Sequence, residues 1–176
     1  IACGVGPGSF TGLRVAVSVA QGLAWSRNMP VHGFCSLEAQ AHTAGHQGLL
    51  REGDRVLSAI DAQIDQFYGL WGDWRGGAFA TDGEAFVCAP EGLLAGSSCP
   101  ATIVIGSGAR YQERMPSDLI STARSLPDVT PDARVMAELL SRGSLALQPK
   151  PAHALSPQYV QREIGWKKLS EQGRRD

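Results

Sequence analysis

No C-x-x-C pair occurs in this sequence. Its four cysteines, Cys3, Cys35, Cys88 and Cys99, stand 32, 53 and 11 residues apart. That spacing excludes zinc ribbons and thioredoxin-like redox sites, and scattered cysteines in a chain of this size read as reduced thiols in a cytoplasm. Charge of one sign is also missing: 16 Lys and Arg stand against 17 Asp and Glu, a net of −1. A strongly basic nucleic-acid binder and an acidic disordered chain are both excluded as readings of the whole. The most apolar stretch, Leu13 to Trp25, is interrupted by Arg14, Ser18, Gln21 and Gly22. It falls short of the ~20 apolar residues that a membrane-spanning helix needs. What is abundant is glycine, 21 of 176 residues, gathered where strands turn into helices.

The chain begins at Ile1, and Ile1-Ala2-Cys3-Gly4-Val5 reads as the end of a buried strand, so a preceding segment that pairs with it is expected. The loop Gly6-Pro7-Gly8-Ser9-Phe10 leads to a helix over about Thr11–Arg27, capped by Ser9 or Thr11 and ended by Asn28-Met29-Pro30. A strand at 31–35 and a helix over about 36–47 complete a parallel crossover unit. From Arg55 the spacing predicts an antiparallel meander: strands at 55–62 and 66–74, and a third at 78–87 broken near Asp82-Gly83. A short helix near Pro90–Ala95, a buried strand at 101–105, a loop at 106–108 and a helix over 131–142 follow. Prolines 149, 151 and 157 mark an extended linker. The expected division is 1–52, 53–147 and a linker with tail at 148–176.

Several places could carry chemistry. Gly6, Gly8, Ser9 and Thr11 could cradle an anion at the helix N-terminus, but no Lys stands at a Walker A position and the G-x-G-x-x-G spacing is not met, so a tight strand-to-helix turn is the plainer reading. Arg14, one turn in, is an anion ligand or a paired charge. Gly106 and Gly108 could hold a nucleotide or form a simple turn. His42 and His46 have H-x-x-x-H spacing without a third ligand, and the plainer reading is two surface histidines. Asp61 and Asp65 are an acid/base pair or turn formers. Gly12, Ala16 and Ala20 recur four apart, beside Val15, Val19 and Leu23 (with Leu13), as a face that lets another helix approach closely. The residues Tyr159 to Asp176 carry five basic and three acidic groups with Trp166 among them, which reads as a solvated tail or a weak RNA contact.

The string at 6–25, GPGSFTGLRVAVSVAQGLAW, resembles the signature of the TsaB (YeaZ) family. The Pro30-to-Leu37 turn and strand, the Ile60-Asp61-Ala62…Tyr68 hairpin and Pro157…Tyr159…Trp166-Lys167-Lys168-Leu169 agree in the same order. The resemblance implies an α/β fold of two actin-like, RNase-H-like lobes, the first incomplete by roughly 60 residues at its start. It implies a non-catalytic, cytoplasmic protein that forms a homodimer alone and a heterodimer with the transferase TsaD through Gly12, Leu13, Val15, Ala16, Val19, Ala20 and Leu23. In that system TsaE joins the pair, ATP is used by the wider complex, and threonylcarbamoyl is added to the tRNA adenosine beside the anticodon. No cofactor is expected on this chain. Two metal-ligating histidines of TsaD fall on Ser36 and Gln40, with Glu38 between them, so no metal is expected either. Departures are Asp61-Ala62-Gln63-Ile64-Asp65, where the family has Asp-Ala-Arg-x-Gly, and Pro157-Gln158-Tyr159-Val160-Gln161, where it has Pro-x-Tyr-Leu-Arg. The rival implications are a nucleotide hydrolase or glycoprotease-like enzyme, and a homodimeric module serving cell-wall or resuscitation factors.

Overall fold

The computed structural model describes residues 1–94, 100–145 and 147–160. Cys99, the expected helix end at Ala95, and the basic tail with Arg162, Trp166, Lys167, Lys168, Arg174 and Arg175 lie outside the described residues.

Two sheets organise the chain. In the first, β1 (Ala2–Gly6) runs parallel to β2 (His32–Cys35), with Ala2 opposite His32 and Gly4 opposite Phe34. Between them runs α1 (Phe10–Arg27), whose N-terminus is capped by Ser9, Oγ accepting from the Gly12 amide at 3.3 Å. Asn28 ends it in the left-handed conformation, φ 49°, a position that asparagine tolerates better than most residues. The helix buries Leu13, Val17, Ala20 and Ala24, spaced so that one face meets Cys3, Val5 and Val31.

The second sheet has strand order β5-β4-β3-β7-β8. It comprises β3 (Arg55–Gln63), β4 (Gln66–Arg75), β5 (Ala78–Thr81), β6 (Phe86–Cys88), β7 (Ile103–Ile105) and β8 (Arg124–Leu126). Strands β5 and β6 pair with successive stretches of β4, which is the single broken strand that the sequence suggests. The meander is not purely antiparallel, because β7 and β8 extend the sheet in parallel from β3. Side chains on β3 alternate strictly: Val56 and Ile60 face one layer, Leu57 and Ala59 the other. Ile103, Val104 and Ile105 are all fully buried because both faces are covered. One cover is α2 (Ser36–His46) with α4 (Ala133–Ser141); the other is the 3-10 turns at Pro90–Gly92 and Ser107–Arg114 with α3 (Ser117–Ile120).

Helix α2, which the expected division counts with residues 1–52, packs Leu37, Ala41 and Ala44 against the core of the second sheet. Two local expectations change. The loop at 106–108 opens directly into a 3-10 helix. The proline-rich linker is no free connector. Lys150 pairs with Val31, Ala152 and Leu155 are buried against α1, and Gln158 donates its amide to the Val5 carbonyl at 2.7 Å. Proline removes amide donors without preventing an extended segment from docking, so residues 149–160 form a strap along α1.

Candidate functional site

Of the helix residues proposed to meet a partner, five face solvent and two do not. Val15, Val19 and Leu23 are 58%, 56% and 55% exposed, and Gly12 and Ala16 are exposed beside them. Leu13 and Ala20 instead belong to the helix's own buried face. At about 100° per residue, Ala20 falls toward the core while Ala16 stays out, so regular four-residue spacing drifts across the boundary. The stripe that remains is an apolar line of three branched side chains with small residues next to it. Such a surface is costly in water and suits a second helix.

At its N-terminal end this helix carries an aromatic and cationic stack. The Arg14 guanidinium lies 3.9 Å from the Phe10 ring centroid, and its Nε donates to the Tyr159 hydroxyl at 3.1 Å. The Tyr159 ring sits 5.4 Å from that of Phe10. Arg14 is therefore engaged by the strap rather than aimed at an anion. Further along, Gln21 Nε2 donates to the Leu155 carbonyl at 2.9 Å.

The glycine loop borders an open cleft of about 790 Å³ between α1 and the β3–β4 turn, lined by Ser9, Phe10, Thr11, Asp61, Tyr68 and Tyr159 among others. Gly6 has φ +123°, and a Cβ there would lie 2.6 Å from the Gln158 carbonyl oxygen, so glycine is required for the strap to close on the loop. The second glycine pair, Gly106 and Gly108, does not line this cleft, although Ser107 between them accepts from the Asp61 amide at 3.0 Å. Gly106, at φ +89°, lies against the Gln40 amide, and Gly108 lies against Ala59, so both are occupied by the chain's own packing.

Asp61 is likewise committed. Its carboxylate accepts from Arg110, from the Tyr111 hydroxyl at 3.0 Å and from the Gln63 amide at 3.0 Å. Asp65 pairs with Arg114 at 2.9 Å, and Arg114 also holds Glu91, which keeps the Glu91 carboxyl below its ordinary range. Gln63, Ile64 and Asp65 all adopt positive φ, which accounts for a glycine in the family's pattern; Asp65 is among the residues that tolerate this geometry.

The two positions that match metal ligands in TsaD do not fit a metal here. Gln40 is 1% exposed, and its Nε2 is directed at Ser58 Oγ (2.9 Å) and the carbonyls of Ile105 (3.1 Å) and Ala59 (3.4 Å). Ser58 passes the bond on, donating to Leu37 O at 2.8 Å. This chain of bonds ties α2 to β3 and β7. Ser36 opens α2 and offers only a hydroxyl, a poor ligand for a transition metal. Glu38 is half-buried and its carboxyl is pushed up by desolvation, as is the Cys35 thiol beside it. Among the described residues no three of His, Cys, Asp and Glu gather at one point.

His42 and His46 part company. His46 is exposed and lies 3.4 Å from Glu138, whereas His42 is buried edge-on to Trp74, and burial lowers its pKa. The surface reading therefore fails for His42: α2 is covered on that side by the sheet. Sequence reasoning missed the Gln40 relay, the strap and Arg55, a 2%-exposed arginine held by Asp73 and Asp82. Only the early proline cluster and Tyr159 hinted at the strap.

A protein of Haemophilus influenzae named tRNA threonylcarbamoyladenosine biosynthesis protein TsaB is 32% identical over 179 residues, covering 96% of this chain and 72% of that one. The chain belongs to the TsaB family. The Escherichia coli protein of the same name is 40% identical over 77 residues, 43% of this chain and 30% of its own length. The family model described as TsaD, tRNA N6-adenosine threonylcarbamoyltransferase, matches residues 1–75. Two solved structures from Pseudomonas aeruginosa superpose well. One is described as similar to the peptidase YeaZ (TM-score 0.75, 31% identity, 92% of this chain and 73% of that one); the other is YeaZ (TM-score 0.73, 31%, 90% and 73%). The fold is accordingly the actin-like, RNase-H-like α/β fold of that family. No helix among the described residues is long and apolar enough to cross a membrane.

Proposed function

We propose that this chain is the TsaB-type subunit of tRNA threonylcarbamoyladenosine biosynthesis, which docks on the transferase TsaD and activates it without catalysis of its own. The observation that carries the reading is the exposed Val15, Val19 and Leu23 line on α1, in a chain 32% identical to a TsaB protein across nearly its whole length. A partner that binds one arrangement of TsaD's lobes better than another shifts their populations, and no chemistry on this chain is needed for that. In this reading the same face forms a homodimer when TsaD is absent. TsaE and its ATP belong to the wider complex, tRNA is met through that complex, and the setting is the cytoplasm. The Gln40 and Ser36 positions support the absence of a metal-dependent reaction.

Ala16→Glu tests it. A carboxylate placed unpaired in a helix interface costs roughly 3–5 kcal/mol, or about 10²–10⁴ in affinity. Because Ala16 is exposed, the melting temperature is expected to stay put while TsaD binding and activation vanish. Undiminished binding would contradict the reading. The match of residues 1–75 to the TsaD family model favours a second reading, an enzyme of the same superfamily. Stoichiometric metal by elemental analysis, or turnover by the purified chain, would establish it.

A further inference from the structure

The strap at 149–160 is held unevenly along its length. Its first half is fixed to the fold: Lys150 exchanges both backbone hydrogen bonds with Val31 at 2.9 Å, and Ala152 and Leu155 are buried. The Leu155 carbonyl also accepts from Gln21. From Ser156 to Val160 no residue is fully buried. Among the described residues this stretch makes one backbone hydrogen bond, from the Gln158 amide to the Val5 carbonyl. Its one side chain with a polar or ring partner is Tyr159, which meets Arg14 and Phe10 and stays 44% exposed.

The same stretch separates two cavities. Gln158, Tyr159 and Val160 line the cleft of about 790 Å³ beside Ser9, and they also line a second cavity of about 650 Å³ that contains Cys35, Glu38 and Glu84. Tyr68 borders the first cavity and Leu70 the second. Two residues apart on β4, they point to one face of the sheet, so the two cavities share a floor. The end of the strap therefore crosses a single groove and divides it.

We propose that residues 156–160 are a latch: they lift off while the rest of the fold stays intact, join the two cavities into one groove and release Arg14 from Tyr159. The inference stands apart from the docking role proposed above. Segments with few buried contacts and exposed hydrogen bonds open at a lower free energy than the core. Lifting this one breaks the Gln158–Val5 bond, the Arg14–Tyr159 bond and one tilted ring contact. The first half of the strap does not follow, because that would expose Ala152 and Leu155 and unpair Val31. Ser156 and Pro157, directly after the buried Leu155, are the hinge. Closed, the latch splits the groove and occupies Arg14 Nε; open, it does neither. Whatever fills the whole groove therefore binds the open state, and the closed state competes with it.

Hydrogen exchange of the full chain, followed by NMR at low concentrations of guanidinium, tests this. Relative to its intrinsic rate, the Gln158 amide is expected to exchange about 10-fold or more faster than those of Val31 and Lys150. Its rate should barely change with guanidinium, since a local opening exposes little surface, whereas Val31 and Lys150 should follow the steep dependence of global unfolding. Tyr159→Ala is expected to speed Gln158 exchange about 10-fold, and Tyr159→Phe, which keeps the ring, about 3-fold. Val31, Lys150 and the melting curve should not move. In the Tyr159→Ala chain iodoacetamide should label Cys35 several-fold faster than in the parent, while Cys88, which borders neither cavity, keeps its rate. One protection factor and one guanidinium slope shared by Gln158, Val31 and Lys150 would overturn the latch, because the strap would then be one piece with the fold. Faster Gln158 exchange with an unchanged Cys35 rate would overturn it as well, since the segment would lift without joining the cavities.

Discussion

Replacing Gln40 by leucine keeps the volume of a fully buried side chain and removes only its amide. Two good hydrogen bonds are lost, to Ser58 Oγ at 2.9 Å and Ile105 O at 3.1 Å, along with a longer contact to Ala59 O. Each buried bond is worth about 1 kcal/mol net, and each acceptor left dry adds about 1–3 kcal/mol. Ser58 keeps its own bond to Leu37, so the loss is not total. The expected cost is ~3 kcal/mol. For a chain of this size that corresponds to a fall in melting temperature of about 6–12 °C. Thermal melts followed by circular dichroism, with denaturant titrations to confirm an unchanged slope, measure it. A melting temperature within about 1 °C of the parent would refute the reasoning. It would mean that the position matching a metal ligand in TsaD is not a structural pin, and would reopen it as a site.

Further outcomes are expected elsewhere. Leu13→Asp and Val19→Asp sit six residues apart on one helix, yet only the first should unfold the protein, by several kcal/mol, since only Leu13 is buried; equal melts for both would contradict the assigned face. His42 has a pKa lowered by burial from an ordinary 6.5, so the unfolded chain binds the extra proton first. Its contribution is complete above about pH 6.5 and is lost as pH falls through the lower folded-state value; His42→Gln should flatten stability curves over that window. Glu38 acts in the opposite sense. Its pKa is raised by burial above 4.5, so the stability it lends is present below that value and fades as pH rises through the folded-state value, and Glu38→Gln should remove that dependence. Burial pushes the Cys88 thiol up to about 11, so iodoacetamide at pH 8 should label it far more slowly in the native chain than in urea, as read by peptide mass spectrometry.

Much of the fold was legible because it rests on local signals. Ser9 and Asn28 bound α1 as caps do, and the largely apolar run from Val56 to Ile60 falls in the strand expected at 55–62. What escaped depends on distant partners. Strand β8 is three residues long, too short to show a period, and begins on an arginine; β7 lies within the buried strand expected at 101–105, but its parallel pairing with β3 does not show in its own residues. Gln40 looks like any polar helix residue until Ser58 and Ile105, 18 and 65 positions away, close around it. The strap carries prolines that suggest a free linker, and its docking is visible only once α1 offers Gln21 and Arg14 to it. On the candidate site, spacing alone placed the stripe but could not separate Ala16 from Ala20, because the helical period drifts relative to a strict repeat of four.

The most direct measurement is light scattering of the gel-filtered chain, alone and mixed with the TsaD of the same organism. The account predicts that a 1:1 complex replaces the homodimer, and that Ala16→Glu abolishes it without lowering the melting temperature. Independent elution of the two proteins, with TsaE and ATP present as well, would contradict it.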